Sequence, residues 1–135
     1  MYKIIFYKDK NGYSSVLEHI ETLKGKWFTN KDAKIKFKKI SSYLDMLSEK
    51  GLEIGKPYIK HLEDEIWKLR PLRDRILFAY WDNNNFILLH QFMKKTQKTP
   101  KKEIKKAKNN LEDYKRRSDN NEWKRINMGR SKEKS

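Results

Sequence analysis

Residues 65–100, EIWKLRPLRDRILFAYWDNNNFILLHQFMKKTQKTP, hold three apolar runs separated by two short breaks. Runs this short, rich in Trp, Tyr, Phe, Ile and Leu and joined by Pro- or Asn-containing turns, fold as antiparallel hairpins. Strands are expected over about 65–70, 74–81 and 86–93, turning at Pro71-Leu72-Arg73 and Asp82-Asn83-Asn84-Asn85. A meander this apolar must bury one face. Cations nevertheless recur on it: Lys68, Arg70, Arg73, Arg75, Lys94, Lys95 and Lys98.

The remaining chain supplies what the meander packs against. Tyr2–Tyr7 is a short β-type run, closed by Asp9-Lys10-Asn11-Gly12. Ser15-Val16-Leu17-Glu18 has the form of a capping box, so a helix is expected from Ser15. Val16, Leu17, Ile20 and Leu23 follow at helical spacing, and Gly25 suits the end. A longer helix is expected from Thr29 or Asn30 to Gly51, with Ala33, Phe37, Ile40, Leu44 and Leu47 as its apolar stripe among lysines. Residues 52–64, with Gly55 and Pro57, read as an ordered loop. Thr99 and Pro100 are placed to cap a last helix, in which Ile104, Ala107, Leu111 and Tyr114 share a face. From Ser118 the periodicity fades.

The expected order is β-α-α-β-β-β-α, an α+β domain with one mostly antiparallel sheet, a helical hairpin on one face and a C-terminal helix. Residues 1–116 are read as the domain and 117–135 as a basic, flexible tail. With the helices largely on one side, the other sheet face is expected to be open to a ligand.

Charge narrows the function. Of 135 residues, 38% are charged and the formal net charge is +15. Residues 1–91 hold 17 Lys/Arg against 12 Asp/Glu, whereas residues 92–135 hold 16 against 6. A surplus of this kind points to a polyanion or an acidic partner. No apolar run approaches the ~20 residues of a spanning helix, so no membrane partner is expected. The absence of cysteine removes disulfides, thiolate metal sites and Cys nucleophiles and fits a cytoplasmic protein. His19, His61 and His90 lack a metal-ligand spacing, so neither metal nor cofactor is expected.

Meander topology gathers the cations. The end of the first strand lies beside the start of the second, which brings Arg70, Arg73 and Arg75 together. The exit of the last strand, at Lys94 and Lys95, lies beside Arg75 as well. Any one of these side chains read alone is a solvated surface charge. Gathered at one sheet end they repel one another unless an anion compensates, and a phosphate suits both Arg and Lys. Tyr80, Trp81, Phe86 and Phe92 are either core or surfaces for stacked bases. For proton transfer, a crowded Lys68 or Lys95 becomes a usable base, and His90 titrates near neutrality without help. The parity of His90 is not fixed by the sequence. His61 precedes the sheet and is able to approach the site, and His19 reads as a helix-surface residue.

YKIIFYKDKNGYSSVLEHI, GLEIGKPYIKHLEDEIWKLRP, DRILFAYW and LLHQFMKKTQKTPKKEIKKAK together resemble the phage-derived, HigB-like branch of the RelE/ParE toxin superfamily, over residues 1–116. The most specific parts are the WxLRP strand end, the DRI strand start and the HxFxKKTxKTP exit. The resemblance implies a toxin of a type II toxin-antitoxin system with a RelE-like fold: a metal-independent endoribonuclease that cuts messenger RNA on the ribosome and inhibits translation. It implies Lys68, Arg70, Arg75 and Lys95 as catalytic positions; beside them, the residues' own placement makes Arg73, His90, Lys94 and Lys98 candidates for binding RNA phosphates. It also implies a helix-turn-helix, HigA-like antitoxin and a toxin-antitoxin heterotetramer. The family tyrosine near the final helix has no counterpart in PKKEIKK, and the Glu/His/Tyr set of the YoeB-like branch is not recognisable. Two further readings stand beside this one: a ParE-like toxin that binds gyrase, and a nonenzymatic RNA- or ribosome-binding protein.

Overall fold

The computed structural model describes residues 1–134, with side chains described through Asp119. The order is β1 (Lys3–Phe6), α1 (Ser15–Gly25), α2 (Lys31–Lys50), β2 (Ile59–Glu63), β3 (Ile66–Leu69), β4 (Asp74–Trp81), β5 (Asn85–Met93) and α3 (Lys101–Lys134). The five strands form one sheet in the order β1-β5-β4-β3-β2. Only the β1–β5 pair is parallel. The fold is α+β and compatible with the RelE-like arrangement. Among the described residues no helix is long and apolar enough to cross a membrane.

Local chemistry explains the elements. Ser14 caps α1 by accepting from the Leu17 N–H at 3.1 Å, one residue earlier than the capping-box pattern suggested. This frees Ser15, whose hydroxyl accepts instead from the Gln91 N–H on β5 at 3.1 Å. Asn30 caps α2 through the Ala33 N–H, and Gly51 ends it at φ 63. A β-carbon at Gly51 would stand 2.8 Å from the Tyr2 ring, so only glycine lets α2 finish against β1. The β4–β5 turn places Asp82 and Asn83 at φ 58 and 66, left-handed geometry that Asp and Asn tolerate.

Two corrections to the sequence reading follow. The expected loop at 52–64 contains a 3₁₀ turn, Gly51–Ile54, and then the edge strand β2, which pairs with β3. The second sheet face is also not open. One face carries Leu69, Ile76, Phe78, Phe86 and Leu88 against Val16, Leu23, Ala33, Ile40 and Leu47 of the hairpin. On the other face, Ile66, Leu77, Ala79, Ile87 and Leu89 pack against Ala107 and Leu111 of α3. Burying each such side chain is worth roughly 1.5–3 kcal/mol, so both helical layers are needed to hold the sheet.

A bulge interrupts the β4–β5 ladder. Leu77 opposes His90 while Phe78 opposes Leu88, so Leu89 is the extra residue. Leu89 and His90 consequently both turn toward α3. The helix α3 continues past residue 117, where the sequence periodicity fades. The tail expected at 117–135 falls mostly on residues whose side chains are outside the described set.

Candidate functional site

The cationic end of the sheet is built by three connections. Asp74 N–H donates to the Pro71 carbonyl at 3.1 Å, closing a tight turn in which Leu72 sits at φ 59. A branched side chain is strained there, where glycine is usual. Lys94 N–H donates to the Arg73 carbonyl at 2.8 Å, and Arg73 Nη2 returns a bond to the Lys94 carbonyl at 3.0 Å. Arg70 N–H donates to the Tyr58 carbonyl at 2.9 Å, tying the end of β3 to the segment before β2. Arg70, Arg73, Arg75 and Lys94 are thereby neighbours.

Strand parity then sorts the side chains. Trp67 and Leu69 face the hairpin; Lys68 opposes Leu77 and faces α3 with it. Lys68 is only 7% exposed, and its Nζ donates to Thr99 Oγ1 at 2.8 Å. Thr99, expected to cap the last helix, spends its hydroxyl on this amine, while the Pro100 carbonyl accepts from the Glu103 N–H. Arg75 is 8% exposed and holds the Leu72 and Asp74 carbonyls through Nη1, each at 2.8 Å. Together with Lys94, Lys95 and Lys98, these two residues line a cavity of about 340 Å³ between the end of the sheet and the start of α3. Phe92 is the sole expected stacking aromatic that lines it; Phe86 is fully buried in the core.

Electrostatics at this site are one-sided. Burial, reinforced by Arg75, Lys60, Arg70 and Lys94, pushes the Lys68 amine down to about 8. Burial and the Arg70 charge likewise lower Arg75. Arg70 Nε is buried without a hydrogen-bond partner. Among the described residues no carboxylate pairs with Lys68 or Arg75 within 4.0 Å, so the cluster presents positive charge without an acidic partner.

The nearby carboxylates turn elsewhere. Asp74, 1% exposed, sits 3.0 Å from His19 Nε2. His19 is therefore a half-buried partner of β4, not the free helix-surface residue expected. Glu103 lines the cavity wall but lies 3.2 Å from His90 Nε2. His90 itself is buried against α3 and stacks beside Phe92, outside the cavity lining. His61 packs on Trp67 and contacts the Asp64 carbonyl, so it does not reach the cavity either. Lys60, Thr99 and Glu103 join the neighbourhood although the sequence singled out none of them for it. Only the 2.0-residue alternation of β2 could have exposed Lys60.

A larger cavity, about 550 Å³, lies between α1, β5 and α3, lined by Tyr7, His19, His90 and Gln91 among others. Its charged lining is Asp9, Glu18 and Lys106, which gives no surplus for an anion. Size therefore does not select the site; charge does.

No curated protein matches the chain. The family model described as phage derived protein Gp49-like (DUF891) matches residues 26–112, which contain α2, the whole meander and the first turns of α3. That match covers every residue of the cationic cavity. The chain belongs to the Gp49-like family of phage-derived proteins, a RelE/HigB-like toxin family whose members imply an antitoxin partner.

Proposed function

We propose that this chain is the HigB-like toxin of a type II pair, an endoribonuclease that cuts messenger RNA on the translating ribosome. The observation that carries this reading is the pair Lys68 and Arg75: two buried cations in one cavity, ringed by Lys94, Lys95 and Lys98, with no paired carboxylate among the described residues. A protein that only adheres to RNA needs exposed lysines; burying two cations costs stability and is expected where charge develops during a reaction.

The chemistry follows from the placement. A scissile phosphate enters the cavity with its non-bridging oxygens toward Arg75, and Arg70, outside the lining, adds its charge from behind. The Lys68 amine, lowered to about 8, takes the proton from the 2′-hydroxyl, and the 2′-oxygen attacks phosphorus. The guanidinium groups stabilise the phosphorane. As the bond to the 5′-oxygen breaks, an ammonium at the mouth, Lys95 or Lys98, supplies that oxygen's proton. The products are a 2′,3′-cyclic phosphate and a free 5′-hydroxyl. Charge stabilisation on this route comes from Arg and Lys alone. Arg73 and Lys94, tied together by one backbone bond and one from the Arg73 guanidinium, fix the rim on which the flanking phosphates rest. The partner under this reading is a helix-turn-helix antitoxin, in a heterotetramer, in the cytoplasm where message is translated.

The test adds purified protein to translating ribosomes and maps the message ends by primer extension. Cuts within codons, lost in Lys68→Met, are the expected result. Tight ribosome binding without cuts would select the nonenzymatic alternative, and DNA breaks with intact message the gyrase-binding one.

A further inference from the structure

The turn between α1 and α2 carries an aromatic pair that the core does not use. Phe28 is 97% exposed. Trp27 beside it is half-buried, edge-on to Phe37 at 5.4 Å, with Lys34 and Lys38 ammonium groups 5.1 and 5.6 Å from its ring. Residues 24–39 hold seven lysines and a single acid, Asp32. Ile35, on the first turns of α2, is 46% exposed.

The position of this tip is fixed by contacts along the hairpin. Ser15 meets Gln91, and one turn later His19 meets Asp74 at the start of β4. The helix then continues in that direction to Gly25. In the return direction, α2 ends with Ser48 on Tyr2 at the opposite sheet end, where Tyr2 packs on Tyr80. The hairpin therefore runs toward the end of the sheet that carries Arg70, Arg75 and Lys94, and its tip lies on that side.

We infer that Trp27 and Phe28, with Lys24, Lys26, Lys31 and Lys34, form a second RNA-binding surface that holds a nucleotide flanking the cleavage cavity. Phe28 stacks on an unpaired base, and the lysines contact the adjoining phosphates. The tip is convex and presents one flat ring among cations, which suits the π-face of any base. An acidic peptide would need a concavity for its apolar side chains, and a hairpin tip offers none. The lysines over Trp27 hold its ring while keeping charge at the surface. Bound at both places, a strand is aligned across the cavity, so the tip sets which phosphate is presented and not how fast it reacts.

This inference rests on the RNA-directed reading of the cavity but has its own readout. Phe28→Ala and a Lys24→Gln/Lys26→Gln/Lys31→Gln triple variant are titrated against a fluorescent single-stranded RNA and against ribosomes free of message. Loss on the oligonucleotide places the message on the tip; loss on the ribosomes alone places ribosomal RNA there. In either case Phe28→Ala should weaken binding by roughly fivefold to a hundredfold. The triple variant should lower the salt slope by about 0.7 per lysine for single strands. In cleavage the Phe28→Ala loss should fall on KM. Wild-type binding by Phe28→Ala on both RNAs overturns the inference, as does a loss confined to antitoxin binding, which would mark the tip as a protein contact. Should the wild-type chain bind but never cut, the cavity reading fails while the Phe28 titration still decides this one.

Discussion

Two groups of cations on this fold behave in opposite ways. Lys108 and Lys115, on the outer face of α3, each meet the acidic turn between β2 and β3. Lys108 contacts Glu63 and lies 2.8 Å from Asp64; Lys115 lies 2.6 Å from Glu65 and 4.3 Å from the Trp81 ring centre. These are exposed, compensated pairs that pin the helix to the sheet edge. Lys68 and Arg75 are buried, crowded by other cations, and the two nearest carboxylates, Asp74 and Glu103, are each beside a histidine instead. Charge that is paired holds structure, and under the proposed function the buried, unpaired charge is what meets the substrate. The two kinds are kept apart along α3: the cavity lies beside its first turn, and the paired lysines lie further along it.

The strongest way to break this contrast is to neutralise one member of each group. Lys68→Met should lower message cleavage by roughly 10²–10⁴-fold, the usual loss for a positioned proton-transfer group. Lys115→Met should leave the cut pattern in place. Equal loss in a primer-extension assay would erase the distinction. Arg75→Ala comes next, with a loss of about 10²–10³-fold if its guanidinium stabilises the phosphorane. Its bonds to the Leu72 and Asp74 carbonyls mean that circular dichroism must accompany the assay.

The pH dependence sharpens the same contrast. With Lys68 lowered to about 8, cleavage should rise with pH, close to tenfold per unit, and level off near that value; a flat profile from pH 6 to 9 would remove Lys68 as the base. Stability has a definite sign as well. Between about 8 and the ordinary lysine value near ~10.4, the unfolded chain binds more protons than the folded one, so stability increases with pH there. Below that window both states are protonated and the penalty is complete. Lys68→Met should therefore stabilise the fold at pH 7, by roughly 1–3 kcal/mol in urea titrations, and the gain should shrink toward pH 10. The smallest effect belongs to the paired group: Lys115→Met should cost less than about 1 kcal/mol, as exposed ion pairs do.

Much of the site's neighbourhood is legible in the sequence, because hairpin topology is decided by short loops and alternating side chains. Trp67 and Leu69 turning one way and Lys68 the other is strand parity, and the approach of Lys94 to Arg73 follows from antiparallel pairing. What could not be read arises from competition between distant residues. β2 contains Lys60, His61 and Glu63, too polar to mark a strand until β3 is present to pair with it. The second helical layer depends on α3 folding back over Ile66, Leu77 and Leu89, a long-range choice that its own periodicity does not encode. Thr99 looked like a helix cap because nothing local announces that Lys68, 31 residues earlier, would claim its hydroxyl.

The extra residue at Leu89 works as a change of phase within β5. Before it, the strand alternates in step with the core, with Phe86 and Leu88 to the hairpin and Ile87 to α3. After it, the alternation restarts one position late, which delivers His90 and Phe92 to α3 and aims the lysine-rich exit along the cavity. The two halves of the strand thus obey separate registers, and substitutions that repack the first half need not disturb the aim of the second. Deleting Leu89 would rejoin them into one regular ladder, with Leu88 still opposite Phe78 and His90 still opposite Leu77, so the facing of His90 should survive the loss of the bulge.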